Sequence, residues 1–196
     1  MPEHPDLPLP LQENQEVKIR ILQCNLNKSE RVHLDIINER VSQKYDIMLI
    51  QEPYTTKFNA IRTLANFRPV FSRSRDAETQ VRSVIWVSKH LEMKNWKILN
   101  IQNTCDITAI QLNSKYSKVT IINVYNDCTH ARNKETLHNY LTTHRDDLSD
   151  GDNAHMIWAG NFNRHHLLWD DDRNTHLFTQ QSLRNAEGII ELIAWR

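Results

Sequence analysis

Ile47-Met48-Leu49-Ile50 is an unbroken apolar run of strand length that stops at once on Gln51-Glu52-Pro53. A strand apolar on both faces has to be covered on both, so the run demands layers above and below it. Pro53 ends the ladder and leaves Glu52 at the rim. Upstream, Val17, Ile19 and Ile21 alternate with Lys18 and Arg20, the pattern of a half-buried strand that ends in Gln23-Cys24-Asn25-Leu26-Asn27. Between the two, Ser29 can cap a helix in which Val32 and Ile36, with Leu34, Ile37 and Val41, keep helical spacing to about Ser42. Strand, helix and strand make a βαβ-like unit. If its strands are parallel, Asn25 and Glu52 leave the sheet at the same end. An ordinary surface turn also places Glu before Pro.

The middle of the chain reads as sheet. Val81, Val84, Ile85 and Val87 with Trp86, then 96–101, 106–112 and 119–125, are β-branched or aromatic runs, and their short spacings predict an antiparallel meander. The last of them delivers Tyr125 and Asn126 to its end, followed by Asp127-Cys128-Thr129-His130. Leu137, Tyr140 and Leu141 predict a helix over 132–144, and 146–153 an acidic loop. Met156 to Ala159 suit a short buried strand, after which Gly160 lets the backbone turn. Leu183, Ala186, Ile190 and Ile193 keep helical spacing to Ala194-Trp195-Arg196. Residues 1–16, with Pro2, Pro5, Pro8 and Pro10, are expected to be a disordered tail, which leaves one domain over 17–196.

Several function classes are disfavoured. Lys plus Arg equals Asp plus Glu at 24 each, so there is no global basic field and any nucleic-acid contact must be local. Arg68, Arg73, Arg75 and Arg82 outnumber Asp76 and Glu78, but that segment reads as a solvated loop. Three glycines and no GxGxxG or Walker pattern argue against a phosphate-cradling loop. Cys24, Cys105 and Cys128 are too scattered for a disulfide framework, so reduced thiols are expected. Mean hydropathy is −0.62, and no apolar run approaches the roughly 20 residues of a membrane span. The N-terminus lacks the pattern of a signal peptide, so a cytoplasmic or nuclear protein without membrane contact is expected.

The predicted strand exits collect Asn25, Glu52, Tyr125, Asn161 and Asn163, with His165, His166 and Asp170 close by. A lone carboxylate among amides and a phenol suits a hard cation such as Mg²⁺, which keeps most of its waters. Adjacent histidines in an extended chain point to opposite faces, so His165 and His166 form a poor chelating pair and read as structural or surface residues.

Four motifs then occur in a recognisable order: Gln23-Cys24-Asn25-Leu26-Asn27-Lys28-Ser29, Leu49-Ile50-Gln51-Glu52-Pro53-Tyr54, Ile122-Asn123-Val124-Tyr125-Asn126-Asp127, and Gly160-Asn161-Phe162-Asn163-Arg164-His165-His166-Leu167-Leu168-Trp169-Asp170. In these the chain resembles the endonuclease/exonuclease/phosphatase superfamily, and most closely the apurinic-type endonuclease domains of non-LTR (LINE-like) retrotransposons. HHxxWD is the more specific marker. The resemblance implies an α/β fold, a four-layer α/β sandwich of two packed mixed sheets flanked by helices, and Mg²⁺-dependent cleavage of a DNA phosphodiester. It implies Glu52 as metal ligand with Asn25 beside it, Tyr125 on the scissile phosphate, and Asn163 orienting the phosphate or the attacking water. Arg164, His165, His166 and Trp169 would lie near the DNA.

Two departures from the family pattern matter. The family motif is GDFN, whose Asp activates or orients the attacking water, whereas position 161 here is Asn. An amide cannot act as a base, and loss of a general base typically costs about 10²–10⁴ in rate. The family also ends with a strand carrying an Asp and then a Ser-Asp-His segment, and no Ser-Asp-His occurs in these 196 residues. The C-terminal strands are therefore expected to be missing, leaving an open sheet edge or bare apolar surface through which copies could self-associate. Restoring Asn161→Asp alone is expected not to recover substantial activity. The favoured reading is a catalytically impaired endonuclease-like domain; the alternatives are an active Mg²⁺-dependent endonuclease and a protein-interaction module or weak DNA- and metal-binding remnant.

Overall fold

A computed structural model describes residues 18–38, 43–72, 80–115, 117–126, 132–148 and 153–194. The predicted tail, Val17 and the segment 127–130 lie outside these residues. Two four-stranded mixed sheets stack face to face. The first has the order β1-β2-β4-β3, the second β5-β6-β7-β8.

β1 (Ile21–Asn25) begins later than the alternation of Ile19 and Ile21 suggests and includes Gln23 and Cys24. It runs parallel to β2 (Ile47–Gln51), with Asn25 opposite Gln51, so the expected βαβ unit is present. Its helix α1 (Glu30–Asn38) is capped by Ser29, whose Oγ accepts the Val32 N–H at 3.3 Å. The predicted end near Ser42 lies outside the described residues. The buried face differs from the prediction: His33 and Ile36 point inward, while Val32 is 40% exposed. His33 is admitted because both ring nitrogens are used. Nδ1 accepts the Tyr54 N–H at 3.2 Å, and Nε2 lies 2.9 Å from the Arg62 carbonyl, to which it donates.

β3 (Phe67–Val70) was not visible in the sequence, since Pro69 interrupts its ladder; it is an edge strand, where a missing donor is tolerated. β4 (Ser83–Ser88) pairs antiparallel with β2 and β3 and so belongs to the first sheet, not to the predicted meander. The meander is confined to β5 (Trp96–Leu99), β6 (Ile107–Asn113) and β7 (Lys118–Tyr125). A crossover through α2 (Arg132–Thr143) and the one-turn helix α3 (Arg145–Leu148), which occupies part of the predicted acidic loop, returns the chain to β8 (Ala154–Asn161), parallel to β7. α4 (Gln180–Ile193) follows, capped by Thr179. Its inward face is Ala186, Ile189 and Leu192, and Ile193 is exposed, one position out of phase with the expected stripe.

The apolar run 47–50 shows why the fold has four layers. Ile47 and Leu49 pack between the sheets with Ile85, Val87, Ile110 and Ile121. Met48 and Ile50 face the other way, toward Trp86 and Ile36 of α1. On the far side, Ile122 and Val124 pack against Leu137 and Leu141 of α2 and Leu192 of α4. Helix, sheet, sheet and helix is the predicted sandwich.

β8 departs from the expectation of a buried strand. It ends its sheet, its residues are half-buried or exposed, and Ile157 is 38% exposed. β1 ends the other sheet. A groove of about 630 Å³ lies at the end of the sandwich where these strands begin, lined by Ile19, Ile21, Trp96, Val119, Ile121 and Ile157 among others. Among the described residues no helix is long and apolar enough to cross a membrane.

Candidate functional site

The site lies at the opposite end, where the parallel pairs β1/β2 and β7/β8 exit. Buried amides hold the two sheets in register there. The Gln51 amide donates to Asn123 Oδ1, and Asn123 Nδ2 donates to the carbonyls of Ile50 and Val84 at 3.1 and 3.0 Å. Ser83 Oγ donates to the Asn123 carbonyl, and Thr108 Oγ1 to that of Ser83, both at 2.9 Å. Polar groups buried this deeply are tolerated because each has a partner. They fix the relative height of Glu52, one residue past Gln51, and Tyr125, two past Asn123.

Glu52 has φ +46°, a left-handed conformation that is uncommon outside Gly, Asn and Asp. Its N–H donates to the Arg82 carbonyl at 2.9 Å and its carbonyl accepts the Lys28 N–H at 2.9 Å, which hold it so. Asn25 Nδ2 donates to Glu52 Oε2 at 3.2 Å, while Asn25 Oδ1 accepts the Asn27 N–H at 2.8 Å. The two predicted metal-site residues are therefore in contact. Asn25 orients the carboxylate with its nitrogen rather than offering an oxygen beside it.

Tyr125 and Asn161 are opposite one another in the β7/β8 register. The Asn161 carbonyl accepts the Asn126 N–H at 2.8 Å, and its side-chain oxygen accepts the Asn163 N–H at 3.1 Å. Asn163 has φ +48°, and its Nδ2 donates to the Asn126 carbonyl at 2.8 Å. Asn126 Nδ2 in turn donates to the Phe162 carbonyl at 2.8 Å. Gly160 makes this packing possible: at φ +142°, a Cβ there would fall 1.9 Å from the Val124 carbonyl oxygen. Its role is close backbone approach inside β8, not the turn expected of it.

Sequence reasoning missed Arg82. Its guanidinium grips Asp106 through two bonds of 2.6 and 2.7 Å and lies 4.8 Å from the centre of the Tyr125 ring. Asn133 of α2 donates to Asp106 Oδ2 at 3.2 Å and to the Tyr125 carbonyl at 2.9 Å. Arg82 is thus no part of a solvated basic loop; residues 73–79 of that segment lie outside the described residues. Its partner is 24 positions away, and no local pattern announces it.

Arg164 Nη1 donates to the Asn163 carbonyl at 2.8 Å, and beyond it the His165–Asp170 loop closes on itself. Asp170 accepts the His166 N–H at 2.8 Å and lies 3.3 Å from His165 Nδ1. That backbone N–H first, and His165 second, hold the Asp170 carboxyl below the usual carboxylate range. Trp169 Nε1 donates to the Arg164 carbonyl at 2.8 Å, and His166 Nδ1 accepts the Leu168 N–H at 3.1 Å. Both histidine rings thus make contacts within the loop.

Among the described residues no three His, Cys, Asp or Glu side chains cluster as a metal cage. The donor set is one carboxylate steadied by an amide. That suits a largely hydrated hard cation anchored at one point and not zinc.

No protein-family model matches the chain, and no curated protein sequence matches it. Solved structures do. The endonuclease domain of TRAS1, a telomere-specific non-LTR retrotransposon, is 20% identical, with a TM-score of 0.56 over 89% of this chain and 71% of that one. The AP endonuclease LMAP from Leishmania major is 10% identical, with a TM-score of 0.62 over 89% of this chain and 66% of that one. The APE2 catalytic domain of Xenopus laevis is 15% identical, with a TM-score of 0.57 over 88% and 67%. The chain thus has the endonuclease/exonuclease/phosphatase-like fold and spans about two thirds to seven tenths of the length of these structures.

Proposed function

We propose that the strand-end site holds a phosphodiester of DNA and does not cut it efficiently. The observation that carries this reading is one continuous set of contacts. Arg82 holds the Glu52 N–H with its carbonyl and stacks on Tyr125 with its guanidinium, and Tyr125 is paired with Asn161. The carboxylate, the phenol and the amides of the strand exits thereby form a single constellation. The names of the similar structures, an endonuclease domain and AP endonucleases, support a nucleic-acid substrate.

Glu52, oriented by Asn25, would hold Mg²⁺, which when bound supplies neutralisation of phosphate charge. The Tyr125 hydroxyl is a donor for a phosphate oxygen. Asn163 spends one N–H on Asn126, leaving its second N–H and its oxygen for substrate or water. Arg164 and the loop carrying His165, His166 and Trp169 border the path that a duplex takes away from the site. Asn161 has the shape of a carboxylate but no basicity, and its oxygen already accepts the Asn163 N–H. Water held there keeps its proton, and the expected deficit is about 10²–10⁴ in rate.

Filter retention of a short duplex between about 50 and 200 mM salt tests the binding half of the reading. Retention that weakens as salt rises is expected, because phosphate contacts release counterions. Weaker retention by Asn163→Ala with the fold intact places the duplex at this site. No retention at low salt rules the reading out.

A second reading, self-association, is favoured by the apolar groove at the end of the sandwich where β1 and β8, each the last strand of its sheet, begin. Sedimentation over a hundredfold concentration range tests it: a dimer weakened by Ile157→Lys supports it, and a monomer throughout excludes it.

A further inference from the structure

The apolar groove where β1 and β8 begin lies beside the point at which the described chain starts, Lys18. Ile19, one position further on, already lines it, together with Ile21, Leu112, Ile121 and Ile157. Its flanks are basic. Lys18, Lys94, Lys115 and Lys118 each adjoin a lining residue in the sequence. Of the acids nearby, Glu92 is paired with Lys94 at 2.6 Å and Asp46 with Arg20 at 3.2 Å. Residues 1–17, which lead into Lys18, have the opposite sign: they include Glu3, Asp6, Glu13 and Glu16 and no lysine or arginine. They also include Leu7-Pro8-Leu9-Pro10-Leu11, three large apolar side chains alternating with prolines that bar them from a helix or a sheet interior.

We infer that Leu7-Pro8-Leu9-Pro10-Leu11 docks in the groove of its own chain and covers this apolar end of the sandwich. Reach permits it: the eight residues from Leu11 to Ile19 span up to about 26–29 Å when extended, and Ile19 is itself part of the lining. Tethering at that distance gives an effective concentration in the millimolar range, roughly what a free partner would need to compete. The prolines preset an extended backbone, so little freedom is lost on docking, and they leave only three N–H groups in five residues to be satisfied. Exposed Asn95 and Ser114 stand among the lining residues with polar groups for them. Charge separates this occupant from a second copy. The acidic segment brings Glu13 and Glu16 toward Lys18 and its neighbours, whereas a second copy seated groove on groove would set the same lysines against one another. Self-association through this end then requires the segment to leave.

Isoleucine-methyl NMR of the full chain tests the docking, with the triple variant Leu7→Ser/Leu9→Ser/Leu11→Ser beside wild type. The methyl resonances of Ile19, Ile121 and Ile157 are expected to shift between the two proteins. Those of Ile36 and Ile50, which face the other side of the first sheet, should stay in place and show that the fold is intact. In an Ile157→Lys background, the same triple substitution should move the groove resonances far less, because the groove no longer accepts leucine. Docking within one chain also predicts that the wild-type positions persist over about a hundredfold dilution, with sedimentation reporting a monomer at the low end. Identical groove resonances in wild type and triple variant overturn the docking, whether the chain is a monomer or a dimer, so self-association is judged separately by its mass. Shifts that fade on dilution as a dimer dissociates place the segment in a second copy and overturn docking within the chain.

Discussion

The guanidinium of Arg82 lies 4.8 Å from the centre of the Tyr125 ring and is fixed there by two bonds to Asp106. Because the Arg82 carbonyl also holds the Glu52 N–H at 2.9 Å, this one residue joins the carboxylate exit of the first sheet to the phenol exit of the second. The pair is largely withdrawn from water, with side chains 27% and 12% exposed. Removing one partner therefore strands a poorly solvated charge. Asp106→Ala is expected to cost about 2–4 kcal/mol in urea unfolding and to weaken duplex retention, whereas a cost below about 0.5 kcal/mol would show that the clamp is incidental.

The amide bridge between sheets makes a second prediction. Asn123→Leu keeps the branched shape and heavy-atom count but takes the side-chain donor from the buried Ile50 and Val84 carbonyls and the acceptor from the Gln51 amide, which is left with only a longer bond to the Leu49 carbonyl. Each such loss costs about 1–3 kcal/mol, so the variant should unfold at markedly lower urea than Asn139→Leu on the surface of α2.

Gly160→Ala tests the close approach of β8 to β7. With a Cβ 1.9 Å from the Val124 oxygen and an unfavourable φ, the strands must separate. A loss of about 2–4 kcal/mol is expected from urea unfolding, and a neutral result would contradict the described register.

His33 gives the fold a pH dependence. Burial pushes its imidazole below its ordinary value of 6.5, against the opposing pull of the Arg62 carbonyl. A lowered histidine pKa means that the unfolded chain takes up the proton first. The contribution of His33 is then fully present above about pH 6.5 and is lost as the pH falls from there toward the folded-state value. The urea midpoint should drop between about pH 7.5 and 5, and His33→Gln should be less stable at neutral pH and show a smaller drop. Equal drops in both proteins would rule His33 out as a source.

Much of this was legible in the sequence, for identifiable reasons. The run 47–50, the alternation before Asn25 and the β-branched run at 119–125 carry strong local signals, and they place Asn25, Glu52 and Tyr125 at strand ends. The strand at 67–70 was not legible, because Pro69 masks it, nor was the assignment of β4 to the first sheet, which depends on pairing with residues over thirty positions away. Arg82 and Asp106 were invisible as a pair for the same reason: a charged residue in a basic stretch looks solvated until the fold supplies its partner. His33 was hidden because its two hydrogen-bond partners, Tyr54 and Arg62, lie on a loop that follows Glu52.

With an amide at position 161, the proposed site grips DNA without cutting it well. Supercoiled plasmid incubated with Mg²⁺ or EDTA, with wild type and Glu52→Ala side by side, tests it directly. Wild type is expected to retain the plasmid while its Mg²⁺-dependent nicking stays close to the level of Glu52→Ala. Ready nicking that needs Mg²⁺ and vanishes in Glu52→Ala would contradict it.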